Sequence, residues 1–217
     1  MFNIKKLLTN IKYYAIIMIS IRKDKLFLLE VSKMKELNKV VKIIAKVLEI
    51  VHWVAAGLMV AAAICSTTAS QYLGHFIDMN ALETEAEASV YGFEVALLNS
   101  AGELNTKAFM LFAIGAVILY ALVAMIFRNI YLIIKKSESE TPFSKDNIRM
   151  LKEIGIFSIA IPVIGLIMST IIRLVVGVDA IEISVKMYGF VMGVIILCLT
   201  QFFAYGAKLE KDVEGLL

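Results

Sequence analysis

The sequence has little of what soluble enzymes commonly use for chemistry. Only two cysteines and two histidines occur among 217 residues. Cys65 and Cys198 fall at different depths of the expected helices, so a disulfide between them is not expected. His52 and His75 stand apart with no metal-ligand spacing around them, and no phosphate-binding, nucleophile-elbow, zinc-protease or dinucleotide-binding fingerprint occurs. We therefore expect no enzymatic activity, no cofactor and no metal.

Charged residues are also scarce, whereas long apolar runs are abundant. Asp, Glu, Lys and Arg make up 19% of the chain, hydrophobic residues make up 60%, and the mean hydropathy is +0.82. Lipid offers no hydrogen-bond partner to the backbone, so each membrane crossing needs a helix of about 20 apolar residues. Four stretches meet this requirement: residues 47–66, 108–127, 154–176 and 187–206. The sequence predicts an all-α integral membrane protein with four transmembrane helices in an antiparallel bundle.

Lysine and arginine are distributed unevenly about these spans. Eleven of them occur in residues 1–46, six in residues 128–152 and two in the C-terminal tail, which together make 19 of the 22. Cytoplasmic segments of membrane proteins carry such an excess. We therefore place both termini and the loop of residues 128–153 in the cytoplasm, and residues 67–107 outside the cytoplasmic (inner) membrane. The net charge of +3 follows from this topology, so direct binding to nucleic acid is not expected.

The first 33 residues differ from the rest of the chain and suggest a hypothesis about its start. Glu30 and Val31 can be encoded by GAG-GTN, a purine-rich sequence of the ribosome-binding kind, shortly before Met34. We interpret residues 1–33 as a non-native or disordered extension and residues 34–217 as a single four-span domain. The intact mass of the natively expressed protein tests this interpretation, since a mass that includes Met1 would contradict it.

The outer segment of residues 67–107 is long for a plain connection. Residues 82–88 have helical propensity, and residues 90–97 are typical of a strand that runs into a turn at residues 99–102. We expect a small extracytoplasmic cap, α/β or irregular, between the first two spans. A partly disordered acidic loop is the alternative, because a lone hairpin is marginally stable in water.

Ionisable residues within apolar spans are costly and therefore need an explanation. Glu49 and His52 share one face of the first helix, and Arg128 and Gln201 are expected at a similar depth. We predict an intramembrane polar cluster of these four residues. Glu49 would pair with Arg128 or Lys46, and His52 would bond to Gln201. Such a cluster can sense protons or gate a substrate, but a network that anchors helix ends is the interpretation that we favour.

Small residues four positions apart indicate where membrane helices can approach closely. Gly189 and Gly193 form such a pair in the fourth span. Gly57 in the first span and Gly165 in the third are each followed by a small residue four positions later. We expect these patterns to serve packing within one bundle, in preference to dimerisation, and they leave the oligomeric state open.

The stretch SESETPFSKDNIRML, residues 137–151, has the pattern of a helix start. Pro142 ends the preceding structure, and Ser144 suits the N-cap position. Phe143 stands directly before the cap, as a hydrophobic staple requires, whereas Asn147 occupies the place of the capping-box Glu or Gln. We predict that this stretch is the cytoplasmic entrance of the third span.

Two cytoplasmic motifs are the most specific segments in the chain: TPFSKDNIRML followed by Ile154-Gly155, and the ending FAYGAKLEKDVEGLL. Together with the four-span layout, they resemble a family of uncharacterised bacterial four-helix integral membrane proteins, a domain-of-unknown-function family often encoded beside a small Cro/CI-type helix-turn-helix regulator. The resemblance implies that such a regulator is a partner. Both motifs would face the cytoplasm, and our hypothesis is that the entrance of the third span, with Pro142, Phe143, Ser144 and Asn147, and the tail after Gly206 form one interaction surface that holds the regulator at the membrane.

The expected function is therefore that of a membrane partner or sensor for a helix-turn-helix regulator, embedded in the lipid bilayer. A small-molecule permease, or an accessory subunit of an exporter, is the alternative. The paired discontinuous helices that usually mark secondary transporters are not evident in the sequence.

Overall fold

The computed structural model describes residues 4–68, 87–97, 104–139, 141–177 and 187–215. The helices are α1 (Ile4–Thr68), α2 (Thr106–Lys136), α3 (Lys145–Val175) and α4 (Tyr188–Glu214), and the strands are β1 (Glu87–Val90) and β2 (Phe93–Ala96). Residues 1–43 and residues 44–217 form two compact units, and the contacts described below belong to the second. α1 begins at Ile4, so most of residues 1–33, the segment interpreted above as an extension, is helical.

Four helical segments of the described residues are long and apolar enough to cross a membrane: Ser32–Thr67, Thr106–Lys136, Lys145–Val175 and Tyr188–Glu214. The four predicted spans fall on these segments, so the prediction of an all-α, multi-pass membrane protein is confirmed at this level. The helices extend beyond their apolar stretches. Only residues 137–144 separate α2 from α3, where the sequence predicted a loop over residues 128–153, because charged residues such as Arg and Lys do not interrupt a helix.

α3 packs against α2 and also against α4, and the contact with α4 is made through glycines. A Cβ atom at Gly193 would lie 2.8 Å from the carbonyl oxygen of Gly155, and one at Gly189 would lie 3.0 Å from that of Ser158. Pro162 has no N–H, so the Ser158 carbonyl lacks its usual intrahelical donor. Gly189 lets the α4 backbone approach this carbonyl, in the manner of Cα–H···O contacts between helices.

The other two predicted packing glycines have different surroundings. Gly165 of α3 lies beside the hairpin, since a Cβ there would be 3.7 Å from the Cβ of Phe93. Gly57 of α1 is exposed, and no atom of the described residues lies within 4 Å of a Cβ built on it. The small-residue pattern therefore coincides with helix packing in α4 and not at Gly57.

β1 and β2 form an antiparallel hairpin in which Ser89 pairs with Glu94 and Val90 with Phe93. Tyr91 (φ 51°) and Gly92 (φ 87°) make the connection, and positive φ at both positions is typical of a type I′ turn. The sequence predicted an unbroken strand here, because Tyr-Gly is a weaker turn signal than Asn-Gly. The turn predicted at residues 99–102 and most of the helical stretch predicted at residues 82–88 lie outside the described residues.

The hairpin packs between the helices and not beyond their ends. Its apolar face is buried together with side chains of α2 and α3: Val90, Phe93, Val95, Ala108, Phe112, Ala116, Leu119, Met168 and Ile172. The Phe93 ring stacks on that of Phe112 at 5.2 Å and lies over Gly115. The sequence predicted a cap on the outer surface, whereas Gly115 and Gly165 leave a groove in which alternate apolar side chains of the hairpin are buried.

Candidate functional site

His52 connects α1 to the tip of the hairpin. Its Nδ1 lies 2.7 Å from the carbonyl oxygen of Leu48, and because a carbonyl can only accept, Nδ1 carries the proton. In the neutral ring Nε2 is then an acceptor, and it receives a hydrogen bond from the Tyr91 hydroxyl. One side chain of the turn thus holds the imidazole in a single tautomer and a single orientation.

Three aromatic rings lie near the imidazole of this exposed hydrogen bond. The centroid of the His52 ring lies 6.0 Å from that of Tyr91, 6.1 Å from that of Tyr120 and 5.4 Å from that of Phe127. We call these four residues the histidine–tyrosine cluster. The Tyr91 hydroxyl makes the hydrogen bond to the imidazole, whereas Tyr120 and Phe127 contribute ring contacts. Within the described ranges, no three His, Cys, Asp or Glu side chains converge as a metal site would require.

Glu49 forms an ion pair within its own helix. Its side chain is buried, with the residue only 7% exposed, and its carboxylate lies 3.0 Å from the Lys46 Nζ. The Lys46 ammonium also lies 5.3 Å from the centroid of the Tyr131 ring of α2, a favourable cation–π distance. Of the two partners predicted for Glu49, the structure places Lys46 beside it.

The four residues of the predicted polar cluster are not brought together as a unit. Glu49 and His52 lie on α1, but Arg128 is exposed on α2 and Gln201 is exposed on α4. Both ring nitrogens of His52 are bonded, to Leu48 and Tyr91, and neither bond goes to Gln201. The physical reason is the order of packing: the helix that carries Gln201 packs on α3, whereas His52 faces α2 and the hairpin.

Tyr91, Tyr120 and Phe127 are the members of the cluster that sequence reasoning missed. Aromatic residues near span ends are normally interpreted as an interfacial belt, and nothing in the spacing places Tyr91 beside a histidine 39 positions earlier. The available signal was weak. It consisted of a two-residue Tyr-Gly turn between alternating apolar residues, combined with an ionisable residue in a span that needs a partner.

A second group of polar residues, around Ser144 and Asn147, stabilises the loop between α2 and α3. Ser144 caps α3, and its hydroxyl accepts from the backbone N–H of Asn147, so the predicted N-cap is confirmed. The Asn147 side chain is buried and donates backwards, to the Ser137 hydroxyl and to the carbonyls of Thr141 and Pro142. The residue that replaces the capping-box Glu therefore ties down the loop that precedes the helix.

The same loop is fastened to α4. The ring of Phe143 packs on Phe203 at 5.5 Å between centroids, and a Cβ at Gly206 would lie 2.7 Å from it. The Thr141 hydroxyl donates to the Glu210 carboxylate over 3.0 Å. Of the four residues predicted as an interaction surface, only Pro142 is exposed, whereas Phe143 and Ser144 are partly buried and Asn147 is buried. Their side chains serve contacts within the chain.

An apolar cavity of about 340 Å³ separates α1 from α2. On the α1 side it is lined by Val60, Ala63, Ile64 and Thr67, and on the α2 side by Met110, Ala113, Ile114, Val117 and Ile118. Beyond it, the Ser66 hydroxyl lies 3.7 Å from the sulfur of Met110. A cavity with these walls can accept an apolar chain but offers little to orient a polar ligand.

Comparisons with protein-family models, with curated proteins and with solved structures find no match for this chain.

Proposed function

We propose that the chain is a multi-pass protein of the cytoplasmic membrane that acts as a membrane partner or sensor for a small cytoplasmic helix-turn-helix regulator. The single observation that carries the proposal is the course of α4. This helix continues past its apolar stretch to Glu214 and exposes Leu209 and Val213, between the charged residues Lys208, Lys211 and Asp212. With the exposed Tyr205 four positions before Leu209, they form one contiguous apolar stripe, and a contiguous exposed patch of this kind marks an interaction site.

The topology of the proposal rests on charge and on helix contacts. Lys and Arg residues are concentrated at the ends that we assign to the cytoplasm. Ser66 near the end of α1 contacts Met110 near the start of α2, and Gly155 and Ser158 of α3 face positions of α4 in reverse order. These contacts favour an antiparallel bundle, with the connection between α1 and α2 on the extracytoplasmic side.

The contacts of the loop explain how the proposed docking segment is held. Phe143 packs against Gly206 and Phe203, and Thr141 bonds to Glu210, so one face of the α4 extension is fixed to the entrance of α3. Tyr205, Leu209 and Val213 lie on a neighbouring face, at spacings of four residues. Of the surface expected from the entrance of α3 and the tail after Gly206, this face of α4 is the part that we propose contacts the regulator.

Co-purification in mild detergent with the product of a neighbouring regulator gene tests the proposal. We expect the regulator to be retained by the native chain and lost from the double variant Leu209→Asp, Val213→Asp. Lys211→Asp is the matched control, because it introduces the same side chain on the opposite side of α4. Equal retention by the native chain and the double variant, or no retention by either, would contradict the proposal.

A permease, or an accessory subunit of an exporter, is the second candidate, and the apolar cavity between α1 and α2 is the observation that favours it. Accumulation of toxic lipophilic compounds in a deletion strain tests it. This candidate requires that the native chain lowers accumulation. It also requires that the His52→Ala variant, changed on α1, which is one of the two helices beside the cavity, lowers accumulation less than the native chain does. If accumulation is the same with and without the chain, transport is excluded for those compounds.

A further inference from the structure

The hairpin reaches far into the apolar thickness of the bundle. Phe93 lies over Gly115, which follows the first residue of α2 by nine positions, or about 13 Å along a helix. The Tyr91 ring lies 6.2 Å from that of Tyr120, which is about 20 Å along α2 on the same scale. A hydrocarbon layer is about 30 Å thick, so the turn lies beyond its middle when α2 spans it.

The two faces of the hairpin differ in polarity. Val90, Phe93 and Val95 point into the core formed with α2 and α3. Ser89 and Glu94 are cross-strand partners on the opposite face, where the Ser89 hydroxyl donates to the Glu94 carboxylate over 3.2 Å. Ser89 is exposed and Glu94 is partly exposed. A polar, ionisable face therefore stands at the depth of the apolar helices.

Such a face is not stable against lipid. A hydroxyl, a carboxylate or an unpaired strand edge in hydrocarbon costs several kcal/mol. Non-helical backbone at membrane depth occurs where protein covers it or where it lines a water-filled cavity. The apolar cavity between α1 and α2 has walls of aliphatic side chains, so it is not the compartment that would accommodate these polar groups.

We propose that the polar face of the hairpin lines a water-filled crevice that leads from the hairpin side of the membrane to His52. The hairpin side is the side at which α1 ends and α2 begins. Ser89 and Glu94 form the wall of the crevice, and the hydrogen bond between Tyr91 and His52 lies at its inner end. Water and hydrated protons are the occupants, and they reach the imidazole through the Tyr91 hydroxyl.

The groups around His52 are consistent with such an end point. On its own helix Glu49 and Lys46 compensate each other's charge. The hairpin contributes the Tyr91 hydroxyl, and α2 contributes Tyr120 and the uncharged ring of Phe127. A proton that arrives at Nε2 makes the ring a donor at both nitrogens, and the Tyr91 oxygen then accepts where its hydroxyl previously donated. The inference uses the proposed topology only to identify the hairpin side with the cell exterior.

Cysteine accessibility tests the crevice in the full chain. Cys65 and Cys198 are replaced by alanine, and single cysteines are introduced by Ser89→Cys and, deeper, by Tyr91→Cys. Lys107→Cys at the start of α2 is the water-exposed reference. Leu166→Cys is the lipid-facing reference, because Leu166 is exposed and adjoins Gly165 at the depth of the hairpin. A charged, membrane-impermeant thiol reagent is added to whole cells and, separately, to inverted vesicles.

We expect Ser89→Cys to react within about tenfold of the rate of Lys107→Cys, and Tyr91→Cys to react more slowly than Ser89→Cys but at least tenfold faster than Leu166→Cys. If Ser89→Cys reacts no faster than Leu166→Cys, the crevice does not exist. A disulfide-linked dimer through Ser89→Cys without labelling would also overturn it, because the face would then be covered by a second copy. Labelling in inverted vesicles but not in whole cells would support the crevice and contradict the proposed topology.

Discussion

The contact between α3 and α4 and the contact between α1 and the rest of the bundle are made in different ways. At Gly193 and Gly189 the α4 backbone lies against carbonyl oxygens of α3. On the other side, an open apolar cavity of about 340 Å³ lies between α1 and α2, and the α1 contacts come from single side chains such as His52 and Ser66. Without a hydrophobic driving force, membrane helices associate through close packing and hydrogen bonds. The α3–α4 interface relies on close packing, and the contacts of α1 rely on side-chain hydrogen bonds.

The comparison also shows what a small-residue pattern indicates. Gly57 and Gly193 both belong to such patterns, yet within the described part of the chain only Gly193 of the two lies against another helix. A small-residue pattern indicates where the backbones of two helices can approach closely, but it does not show that they do so. The difference between the two interfaces can be tested by substitutions on each side.

The largest effect is expected from Gly193→Ala. The new methyl group would lie 2.5 Å from Ile159 Cγ1 and 2.8 Å from the Gly155 carbonyl, and the carbonyl belongs to the backbone and cannot move away. We expect the free energy of unfolding in mixed detergent to fall by about 2–3 kcal/mol. Gly57→Ala is the matched control and should leave it unchanged or slightly higher. Equal losses in the two variants would show that the interfaces do not differ.

Phe143→Ala removes the ring that fastens the loop to α4. Replacement of a fully buried phenylalanine by alanine costs about 3–5 kcal/mol. Phe143 is only partly buried, so a loss of about 2 kcal/mol is expected in the same unfolding measurement. Pro142→Ala, at the exposed neighbour, is the control and should change it little. If Phe143→Ala is as stable as the control, the ring does not hold the α4 extension.

Asn147→Ala deprives the Ser137 hydroxyl and two carbonyls of their donor. The side-chain oxygen of Asn147 has no partner among the described atoms, so its removal offsets part of the loss, and about 1–2 kcal/mol is expected. Trypsin should then cleave at Lys136 or Lys145 several-fold faster. Ser139→Ala removes an exposed hydroxyl and its 3.3 Å hydrogen bond to the Lys136 carbonyl but leaves the Asn147 contacts in place. It should leave the cleavage rate unchanged, and a faster rate in that variant would argue against a specific role of Asn147.

The smallest effect is expected on the α1 side. Tyr91→Phe removes the hydrogen bond to His52 and keeps the ring, which should lower the free energy of unfolding by about 0.5–1.5 kcal/mol. Tyr205→Phe, at an exposed tyrosine of α4, is the control and should have no measurable effect. A loss as large as that of Gly193→Ala would mean that α1 is held more firmly than its contacts indicate.

The sequence predicted those features that depend on local order. The spans follow from about 20 apolar residues in a row, and the cap at Ser144 follows from a hydroxyl before a helix start. The hairpin position did not follow, because burial of Phe93 depends on Gly115 and Gly165, which lie 22 and 72 positions away. The partner of His52 could not be predicted either, because Gln201 is expected at a similar depth in the membrane and Tyr91 lies on a turn. Depth in the membrane limits which residues can be partners, but it does not determine which helices pack against each other.

The position of the hairpin between α1 and α2 in the chain has a consequence for biogenesis. Synthesis begins at the N-terminus, so the hairpin leaves the ribosome before α2 and α3, which supply the groove that buries Val90, Phe93 and Val95. A two-stranded hairpin is marginally stable alone, and lipid cannot satisfy its edges. The segment must therefore wait in water until both helices are inserted, and only then enter the bundle and bring Tyr91 to His52. Insertion of the helices and completion of the fold are thus separate events. A chain truncated after α2 should still insert its helices but should not bury the hairpin.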